Sequence, residues 1–514
     1  MRVQKSIKNI ISALSSNILT SFLGFISRTV FIYTLGETYL GVSGLLQNVF
    51  GLLAISELGL STAIGFSLYK PLANKDSKLI STLMSLYKKA YRIIGIVILI
   101  IGTILYNYLN FFVKPEQQPQ EMVYIYFMYL INIVVGYFLS YKTTLITSDQ
   151  NSFKLVPLQI KINVSTTILQ ILFLLLFKNY IGYLFLQMSI SILLNFLQNR
   201  FITKEYKHID FNSKDKLPKE ETNIIKKNIF GLMAGKIGDF CVNSTDNLII
   251  SRFVNLISVG VYGNYITLRN IVNGYIGILF GAITSGFGNL VASESKEKSL
   301  EIFNILFFVS FVLYSFEAVC FICLFNPFIK LWIGEKYLFS FPIVAVIVLN
   351  NYLTGLRMPI ITMKSAAGVY TEDIWVPFGF SIVNLVSSII LAKYFGVFGV
   401  ILGSIIGSLC TADWYRPIVI FRKVFKTSVV NYFKRYLLYI LLGSVYMITS
   451  YAMCNFVRIS NSYIDFIAKA IICLIIPNLS TILIFNKKKE FKYLLNIIMD
   501  LLKNKNLIKN FQEI

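Results

Sequence analysis

Long apolar runs separated by short polar segments fill the chain from residue 10 to residue 485. A transmembrane helix needs about 20 mostly apolar residues, and about fourteen runs reach that length. They lie near 10–35, 41–68, 93–113, 122–147, 156–177, 181–202, 229–254, 259–290, 302–325, 341–363, 374–392, 398–421, 436–456 and 466–485. The pattern therefore predicts an all-α integral membrane protein with about fourteen transmembrane helices.

Basic residues fall on one side of this predicted topology. When the N-terminus is placed in the cytoplasm, Lys and Arg collect in alternate connections, at 70–92, 200–227, 416–435 and 487–509. An excess of Lys and Arg in cytoplasmic segments is the usual orientation signal of membrane proteins. We therefore predict a multi-pass protein of the bacterial cytoplasmic (inner) membrane, with both termini in the cytoplasm. The longest outer connections, 114–121 and 326–340, are too short to form a soluble domain.

Composition and charge support this class of protein. The 514 residues are 56% hydrophobic and only 14% charged, with a formal net charge of +23. A basic chain can bind nucleic acid by neutralising phosphates. No segment here is both basic and able to fold outside lipid, so we predict that nucleic acid is not a partner.

The sequence offers no motif for bond chemistry. Cys320 and Cys323 form a CxxC pair, but apolar residues surround them, which favours buried thiols over a redox or zinc site. His208 is the single histidine and has no partner for metal binding. Walker A, GxSxG and HExxH motifs are absent from the sequence. We therefore predict that the protein is not an enzyme and holds no cofactor or metal.

The two halves of the chain resemble each other. Gly41-Val-Ser-Gly44 matches Gly260-Val-Tyr-Gly263 at a shift of about 219 residues, and Tyr180-Ile-Gly-Tyr183 matches Val397-Phe-Gly-Val400 at a shift of about 217. Both halves start on the same side of the membrane, so the repeats are parallel. We predict an N-terminal six-helix lobe at 1–202, a cytoplasmic interlobe linker at 203–228, a C-terminal six-helix lobe at 229–426, and two appended helices with a basic cytoplasmic tail at 427–514. Two such lobes are expected to enclose a central cavity that opens to each side in turn.

Four stretches carry a resemblance to a known family. They are Ser27-Arg-Thr-Val-Phe-Ile-Tyr-Thr-Leu-Gly36, Tyr39-Leu-Gly-Val-Ser-Gly-Leu-Leu-Gln-Asn-Val-Phe50, Ile55-Ser-Glu-Leu-Gly-Leu-Ser-Thr-Ala-Ile64 and Pro327-Phe-Ile-Lys-Leu-Trp-Ile-Gly-Glu335. In order and spacing they resemble the Wzx-type polysaccharide flippases of the multidrug/oligosaccharidyl-lipid/polysaccharide exporter (MOP) superfamily. The last stretch resembles the family's loop between helices nine and ten.

The resemblance implies a flippase. Its substrate would be an undecaprenyl-pyrophosphate-linked oligosaccharide repeat unit of a capsule or of the O-antigen of lipopolysaccharide, moved from the cytoplasmic to the outer leaflet. A polysaccharide polymerase and chain-length machinery are the expected partners of a monomeric protein. A lipid II flippase and a multidrug exporter of the same superfamily remain alternatives. A membrane polymerase is disfavoured because the chain lacks large outer loops.

Arginines within predicted spans are candidates for binding the substrate pyrophosphate. Arg28 and Arg269 lie roughly 12–15 Å below the outer ends of their helices at 1.5 Å per residue. Charged residues at such depth are expensive and usually face a cavity or a partner. The planar guanidinium donates paired hydrogen bonds to phosphate oxygens, and Arg357 is a third candidate. The alternative for Arg28 and Arg269 is an ion pair, for example with Asp246.

Acidic residues within spans are candidates for ion coupling. Asp239, Asn243 and Asp246 recur at i, i+4 and i+7, so they share one helix face. Glu57 and Glu317 are also deep in predicted spans. Buried carboxylates can bind Na⁺ or take up a proton, which would couple transport to an ion gradient. Charge pairing with Arg28 or Arg269 is the equally weighted alternative.

Overall fold

A computed structural model describes residues 2–54, 57, 60–215, 217, 245–293, 295–367, 369, 372–373, 375–457 and 459–503. The described residues form helices and connections and contain no β-strand. We number the main helices α1 Arg2–Ala54, α2 Leu60–Asn74, α3 Ser77–Tyr106, α4 Met122–Ser140, α5 Val156–Phe177, α6 Tyr180–Glu205, α7 Leu256–Ser293, α8 Lys296–Ile333, α9 Phe341–Leu356, α10 Met358–Ala366, α11 Val376–Cys410, α12 Ala412–Ile420, α13 Val430–Phe456, α14 Ser462–Phe485 and α15 Lys489–Lys503. Short helical turns lie at Leu109–Phe112, Pro115–Gln117, Thr143–Ser148, Ser152–Lys154, Glu335–Tyr337 and Phe421–Phe425.

Local sequence explains where many of these helices begin. Lipid offers no hydrogen-bond partner to the backbone, so apolar segments satisfy their amides as helices. The side chains of Asp76 and Asn179 cap α3 and α6 by accepting hydrogen bonds from backbone amides three residues on. Proline occupies the first turn of α5, α9, α10 and α11, where its missing amide proton has no helical acceptor to lose.

Two glycines break helices at places that the hydrophobic pattern predicts. Gly36 lies within α1 with φ 82° and ψ −167°, between the predicted spans 10–35 and 41–68. Gly396 lies within α11 with φ 56° and ψ −134°, between the predicted spans 374–392 and 398–421. Positive φ is accessible to glycine without strain, so each glycine separates two helical segments. Beyond Gly396 the chain folds back, and the Asn384 side chain donates to Ser404 Oγ at 2.8 Å.

Ten segments of the described chain are long and apolar enough to cross a membrane. Two of them, Ile18–Gly51 and Val376–Phe425, contain the glycine breaks and each correspond to two predicted spans. The predicted span 259–290 corresponds to α7, and the predicted span 229–254 is described only from residue 245. The all-α membrane fold is therefore confirmed, whereas the number fourteen stays a prediction.

Two predicted spans are each described as two helices. The second span, 41–68, is described up to Ala54 and again from Leu60, with Glu57 between them. The span 341–363 lies within one candidate membrane span, Phe341–Ala366, and its helix is divided at Arg357 because Pro359 at the start of α10 cannot continue the hydrogen-bond ladder of α9.

The predicted outer loop 326–340 is wrong in its first half. Helix α8 continues through Pro327 to Ile333, a tolerance for proline that is common in membrane helices. The helix ends at Gly334, whose φ of 100° allows its amide to bond back to Ile329 and Lys330. The stretch Pro327–Glu335 that carries the family resemblance is therefore mainly the end of a helix.

The chain divides into two compact units. The first comprises Met1–Asn264 with Ala392–Gly396, and the second comprises Tyr265–Leu391 with Val397–Ile514. In the first unit, α1 packs on α5, and α4 packs on both α3 and α6. In the second unit, α8 is central and contacts α9, α13, α14 and α15. The predicted lobe and linker boundaries, and the predicted central cavity, stay predictions.

The repeated glycines serve close helix packing in the first unit. A Cβ atom at Gly41 would lie 2.2 Å from the carbonyl oxygen of Leu256, and one at Gly260 would lie 3.0 Å from the amide nitrogen of Gly41. Only residues without a side chain permit this approach. The matching glycines of the two repeats therefore meet where α1 crosses the start of α7.

Candidate functional site

A polar cavity of about 370 Å³ opens within the first unit. Its volume lies within the range of roughly 300–1,000 Å³ that is usual for small-molecule sites. Most of its lining is hydroxyl, amide or cationic, contributed by Thr20, Ser27, Arg28, Ser43, Gln47, Tyr129, Asn163, Thr166, Thr167, Gln170, Tyr183 and Gln187. Leu23, Gly24, Phe31 and Leu40 complete the described lining, which includes no Asp or Glu. The described lining is thus polar, and Arg28 is its one charged residue.

Helical periodicity brings these side chains to one place. On α1 the lining residues before the Gly36 break recur every three to four positions, from Thr20 through Ser27 to Phe31. On α5, Asn163, Thr167 and Gln170 recur at i, i+4 and i+7. Such spacing places side chains on one face of a helix. Both helices therefore turn a polar stripe toward the cavity, although each is largely apolar.

Arg28 is the single cation among the described residues that line this cavity. Its Nε and Nη2 atoms both donate to Oδ1 of Asn264, at 2.9 and 2.8 Å. Asn264 is fully buried, so it fixes the guanidinium without neutralising it. Gly263 makes room for the group, because a Cβ atom there would lie 3.0 Å from Arg28 Nη2. The remaining guanidinium N–H donors of Arg28 keep their capacity for an anionic ligand.

Aromatic rings form one side of the same cavity. Phe31 meets the rings of Tyr180 and Tyr183 edge-on, with centroids 5.6 and 5.4 Å apart. The Tyr129 hydroxyl lies 3.2 Å from Ser43 Oγ and 3.3 Å from the Tyr180 hydroxyl. Tyrosine combines an apolar face with a polar tip. The wall therefore suits a ligand that, like a sugar ring, has both hydroxyl groups and apolar faces.

Arg269 lies on α7 in the second unit and is half-buried. Its Nε and Nη2 atoms donate to the neighbouring Asn270 at 3.3 and 3.1 Å. Its hydrogen-bond partner among the described residues is therefore a neutral amide next to it in the chain. The predicted role in substrate binding stays a prediction.

Arg357 has a different environment. Its Nη1 atom lies 2.8 Å from Oδ1 of Asp413, and the two side chains are 15% and 5% exposed. Its Nη2 atom donates to Thr354 Oγ1 at 2.6 Å. A phosphate group would have to replace a buried ion pair to bind here. The environment favours a structural role for Arg357, whereas its predicted role in substrate binding stays a prediction.

Asp373 is another buried carboxylate in the same unit. The Asp373 side chain is 2% exposed and accepts from Lys364 Nζ at 2.6 Å and from Arg416 Nε at 3.0 Å. The cations of this region are therefore paired with internal acids, unlike the cation of the cavity in the first unit.

The predicted ion-coupling residues are only partly described. Asp239 and Asn243 lie outside the described residues, and Asp246 lies on the helical segment 245–253. Glu57 lies between α1 and α2, and its Oε1 atom accepts from the Tyr91 hydroxyl at 2.5 Å. The Tyr87 ring packs edge-on against Tyr91, and its hydroxyl lies 3.1 Å from Thr144 Oγ1. Glu57 thus joins a hydrogen-bonded aromatic cluster.

Sequence reasoning from charge alone missed most of the cavity lining. The neutral residues Asn163, Thr167 and Gln170 carry no charge and draw no notice in an apolar span. Their helical spacing was a usable signal, because polar residues on one face of a membrane helix seek a polar environment. Asn264 was missed too, since nothing in the sequence links it to Arg28.

Comparison with known proteins identifies the family. The family of polysaccharide biosynthesis proteins matches residues 6–285, more than half of the chain. The chain belongs to the polysaccharide biosynthesis protein family. No curated protein matches the sequence significantly.

Solved structures show the same fold at low sequence identity. The lipid II flippase MurJ in an inward closed conformation superposes with a TM-score of 0.65 and 15% identity, over 93% of this chain and 98% of that one. An inward-facing multidrug transporter of the MATE family, in the MOP superfamily, gives 0.63 and 17%, over 82% and 99%. A MOP superfamily transporter from Pyrococcus furiosus, described as having a binding pocket of reversed polarity, gives 0.53 and 15%, over 82% and 96%.

Family and fold together confirm the resemblance to MOP-superfamily flippases seen in the sequence. The protein is a multi-pass membrane protein of the polysaccharide biosynthesis family and has the fold of MOP-superfamily transporters. The predicted absence of enzymatic activity is consistent with this class and stays a prediction.

Proposed function

We propose that the protein flips undecaprenyl-pyrophosphate-linked oligosaccharide repeat units across the bacterial cytoplasmic membrane by alternating access. The observation that supports this substrate most directly is the polar cavity around Arg28. Phosphate oxygens accept paired hydrogen bonds from a guanidinium, and the surrounding amides and hydroxyls match sugar hydroxyls. The lipid tail stays in the bilayer, so only the polar head group enters the cavity.

The cavity also argues against a multidrug exporter. A site for cationic drugs is expected to offer carboxylates and aromatic faces, as ammonium ligands prefer. The described lining has aromatic rings and one arginine, and no Asp or Glu. Two like unit charges 4 Å apart repel each other by about 4 kcal/mol at an effective dielectric constant of about 20, so an arginine in the site disfavours a cationic drug.

A lipid II flippase is the second candidate that the cavity allows. Lipid II shares the polyprenyl pyrophosphate and a sugar head group, so Arg28 and the amides would meet the same chemical groups. The two substrates differ in the sugars and in the peptide of lipid II. Deletion of the gene therefore distinguishes the two substrates, because a different polymer is lost in each case.

We propose that an ion gradient drives the cycle, with Glu57 and Asp246 as candidates within the described residues and Asp239 and Asn243 as candidates outside them. Glu57 is half-buried and accepts a 2.5 Å hydrogen bond from Tyr91, which joins the connection between α1 and α2 to α3. Glu57→Gln is expected to reduce the dependence of transport on pH or Na⁺, whereas Glu116→Gln at an exposed position is the matched control. Identical ion dependence in wild type and Glu57→Gln would remove Glu57 from the proposal.

Gene deletion tests the proposed substrate. Surface polysaccharide and lipid-linked intermediates are measured together, with a leaflet-specific label for the sugar. Loss of polymer with complete repeat units retained on the cytoplasmic leaflet is expected, and the wild-type gene restores export. Normal polymer with arrested cell-wall synthesis would favour lipid II instead. Normal polymer with increased drug sensitivity would overturn both flippase proposals.

A further inference from the structure

Three cysteines from distant parts of the sequence meet in the second unit. Cys323 lies on α8, Cys454 on the last turn of α13 and Cys473 on α14. Their sulfur atoms all lie within 4.8 Å of one another. Their side chains are 4%, 2% and 0% exposed, respectively. The packing of three helices therefore creates a buried cluster of thiols that the CxxC pair alone does not reveal.

The surroundings of the cluster are apolar but include some polar groups. Two thiols contact backbone carbonyls at 3.9 Å, Cys454 that of Lys469 and Cys473 that of Val319. Lys469 lies one turn before Cys473 and pairs with Asp465 at 2.6 Å. Cys454 is two residues from Phe456, the end of α13. The cluster is thus enclosed by helices, near one end of α13 and beside a cationic side chain.

The spacing of the sulfur atoms is close to that of a metal thiolate site. Metal–sulfur bonds are about 2.3 Å long, which places three sulfurs of a trigonal site about 4 Å apart. Closing from 4.8 Å needs only small side-chain rotations, because all three cysteines already point to one spot. Three soft sulfur ligands without His, Asp or Glu select a soft cation such as Cu(I) over Mg²⁺ or Ca²⁺.

We propose that Cys323, Cys454 and Cys473 bind one soft monovalent metal ion, with Cu(I) as the representative ligand. Each thiol would lose its proton to water on binding, since the thiolate is the metal ligand, so Cu(I) and three thiolates would together carry a net charge of −2. Bound metal would join α13 and α14, the two predicted appended helices, to α8 of the predicted lobe.

Competitive titration of the full-length protein tests this site. Reduced protein in detergent is titrated anaerobically with Cu(I) in the presence of a chromophoric Cu(I) chelator. We expect one Cu(I) per chain to be retained against the chelator, with a sulfur-only coordination shell in X-ray absorption. Cys323→Ser, Cys454→Ser and Cys473→Ser should each weaken retention at least tenfold. Cys410→Ser, at an exposed cysteine of α11, is the matched control and should retain the metal.

Thermal stability and a fourth serine variant test the site further. Cu(I) should raise the Tm of the wild type and of Cys410→Ser but not that of Cys473→Ser. Cys320→Ser should retain Cu(I) within a few-fold of wild type, since the Cys320 thiol contacts Cys473 but lies outside the group of three sulfurs within 4.8 Å of one another. Failure of the wild type to retain Cu(I), retention by all serine variants, or nitrogen and oxygen ligands in the absorption spectrum would overturn it.

Discussion

Arg28 and Arg357 lie in two different environments. Arg28 faces a polar cavity, and its described hydrogen bonds go to the neutral amide of Asn264. Arg357 is held by the buried carboxylate of Asp413 at 2.8 Å. The charge of the first is held in place but not neutralised, whereas the charge of the second is already compensated. Depth in the membrane alone therefore does not identify a substrate-binding arginine, and the partner must be known.

The largest effect is expected when Asp413 is removed and Arg357 is left without its ion-pair partner. Asp413→Ala should destabilise the protein by about 3–5 kcal/mol, because it strands a buried charge. The Tm of the purified protein measures this effect. Lys423→Ala, which removes an exposed pair with Glu372, is the control and should change Tm little. The double variant Arg357→Met/Asp413→Leu should recover most of the Tm and should transport. A Tm for Asp413→Ala equal to that of wild type would contradict the structural role.

Removal of Arg28 should affect transport more than stability. Arg28→Ala should lower transport about 10- to 100-fold, corresponding to about 1.5–3 kcal/mol for a hydrogen bond to a charged group. Its Tm should fall less than that of Asp413→Ala, because the variant leaves a buried neutral amide of Asn264 without its partner and no unpaired charge. Arg200→Ala, at an exposed position on α6, is the control and should keep transport. Equal loss in both variants would mean that general positive charge, and not the cavity, is required.

The space around Arg28 can be changed without touching its charge. Gly263→Ala places a methyl group about 3.0 Å from Arg28 Nη2, so the guanidinium must shift. We expect a several-fold loss of transport, smaller than that of Arg28→Ala. Gly274→Ala on the same helix is the matched control, since nothing lies within 4 Å of its added Cβ atom. A result in which both alanine variants transport normally would show that the guanidinium position tolerates displacement.

The neutral lining should contribute least per residue. Gln170→Leu removes an amide from the cavity, and one neutral hydrogen bond is worth about 0.5–1.5 kcal/mol, or about 2- to 10-fold in transport. Gln198→Leu on α6 is the control, because Gln198 is equally buried and does not line the cavity. Transport assays at limiting substrate measure both. A greater loss of transport in Gln198→Leu than in Gln170→Leu would argue that the cavity does not bind the substrate.

The sequence predicted the fold better than it predicted the site. Apolar runs and glycine breaks at Gly36 and Gly396 locate helices well, because lipid leaves the backbone few alternatives. The same pattern missed the interruption at Arg357 and the helical continuation past Pro327, where packing decides the outcome. The site depends on contacts between residues 28 and 264 and between 357 and 413, which no local pattern encodes. The thiol cluster likewise appears only after α8, α13 and α14 pack.

Translocation in proteoliposomes tests the central claim most directly. Purified protein is reconstituted with a fluorescent undecaprenyl-pyrophosphate oligosaccharide, and the fraction reaching the opposite leaflet is measured over time. We predict translocation by the wild type and by Arg357→Met/Asp413→Leu, and a loss of about 10- to 100-fold in Arg28→Ala. Undiminished translocation by Arg28→Ala, with the protein correctly folded, would contradict the assignment of the cavity as the substrate site.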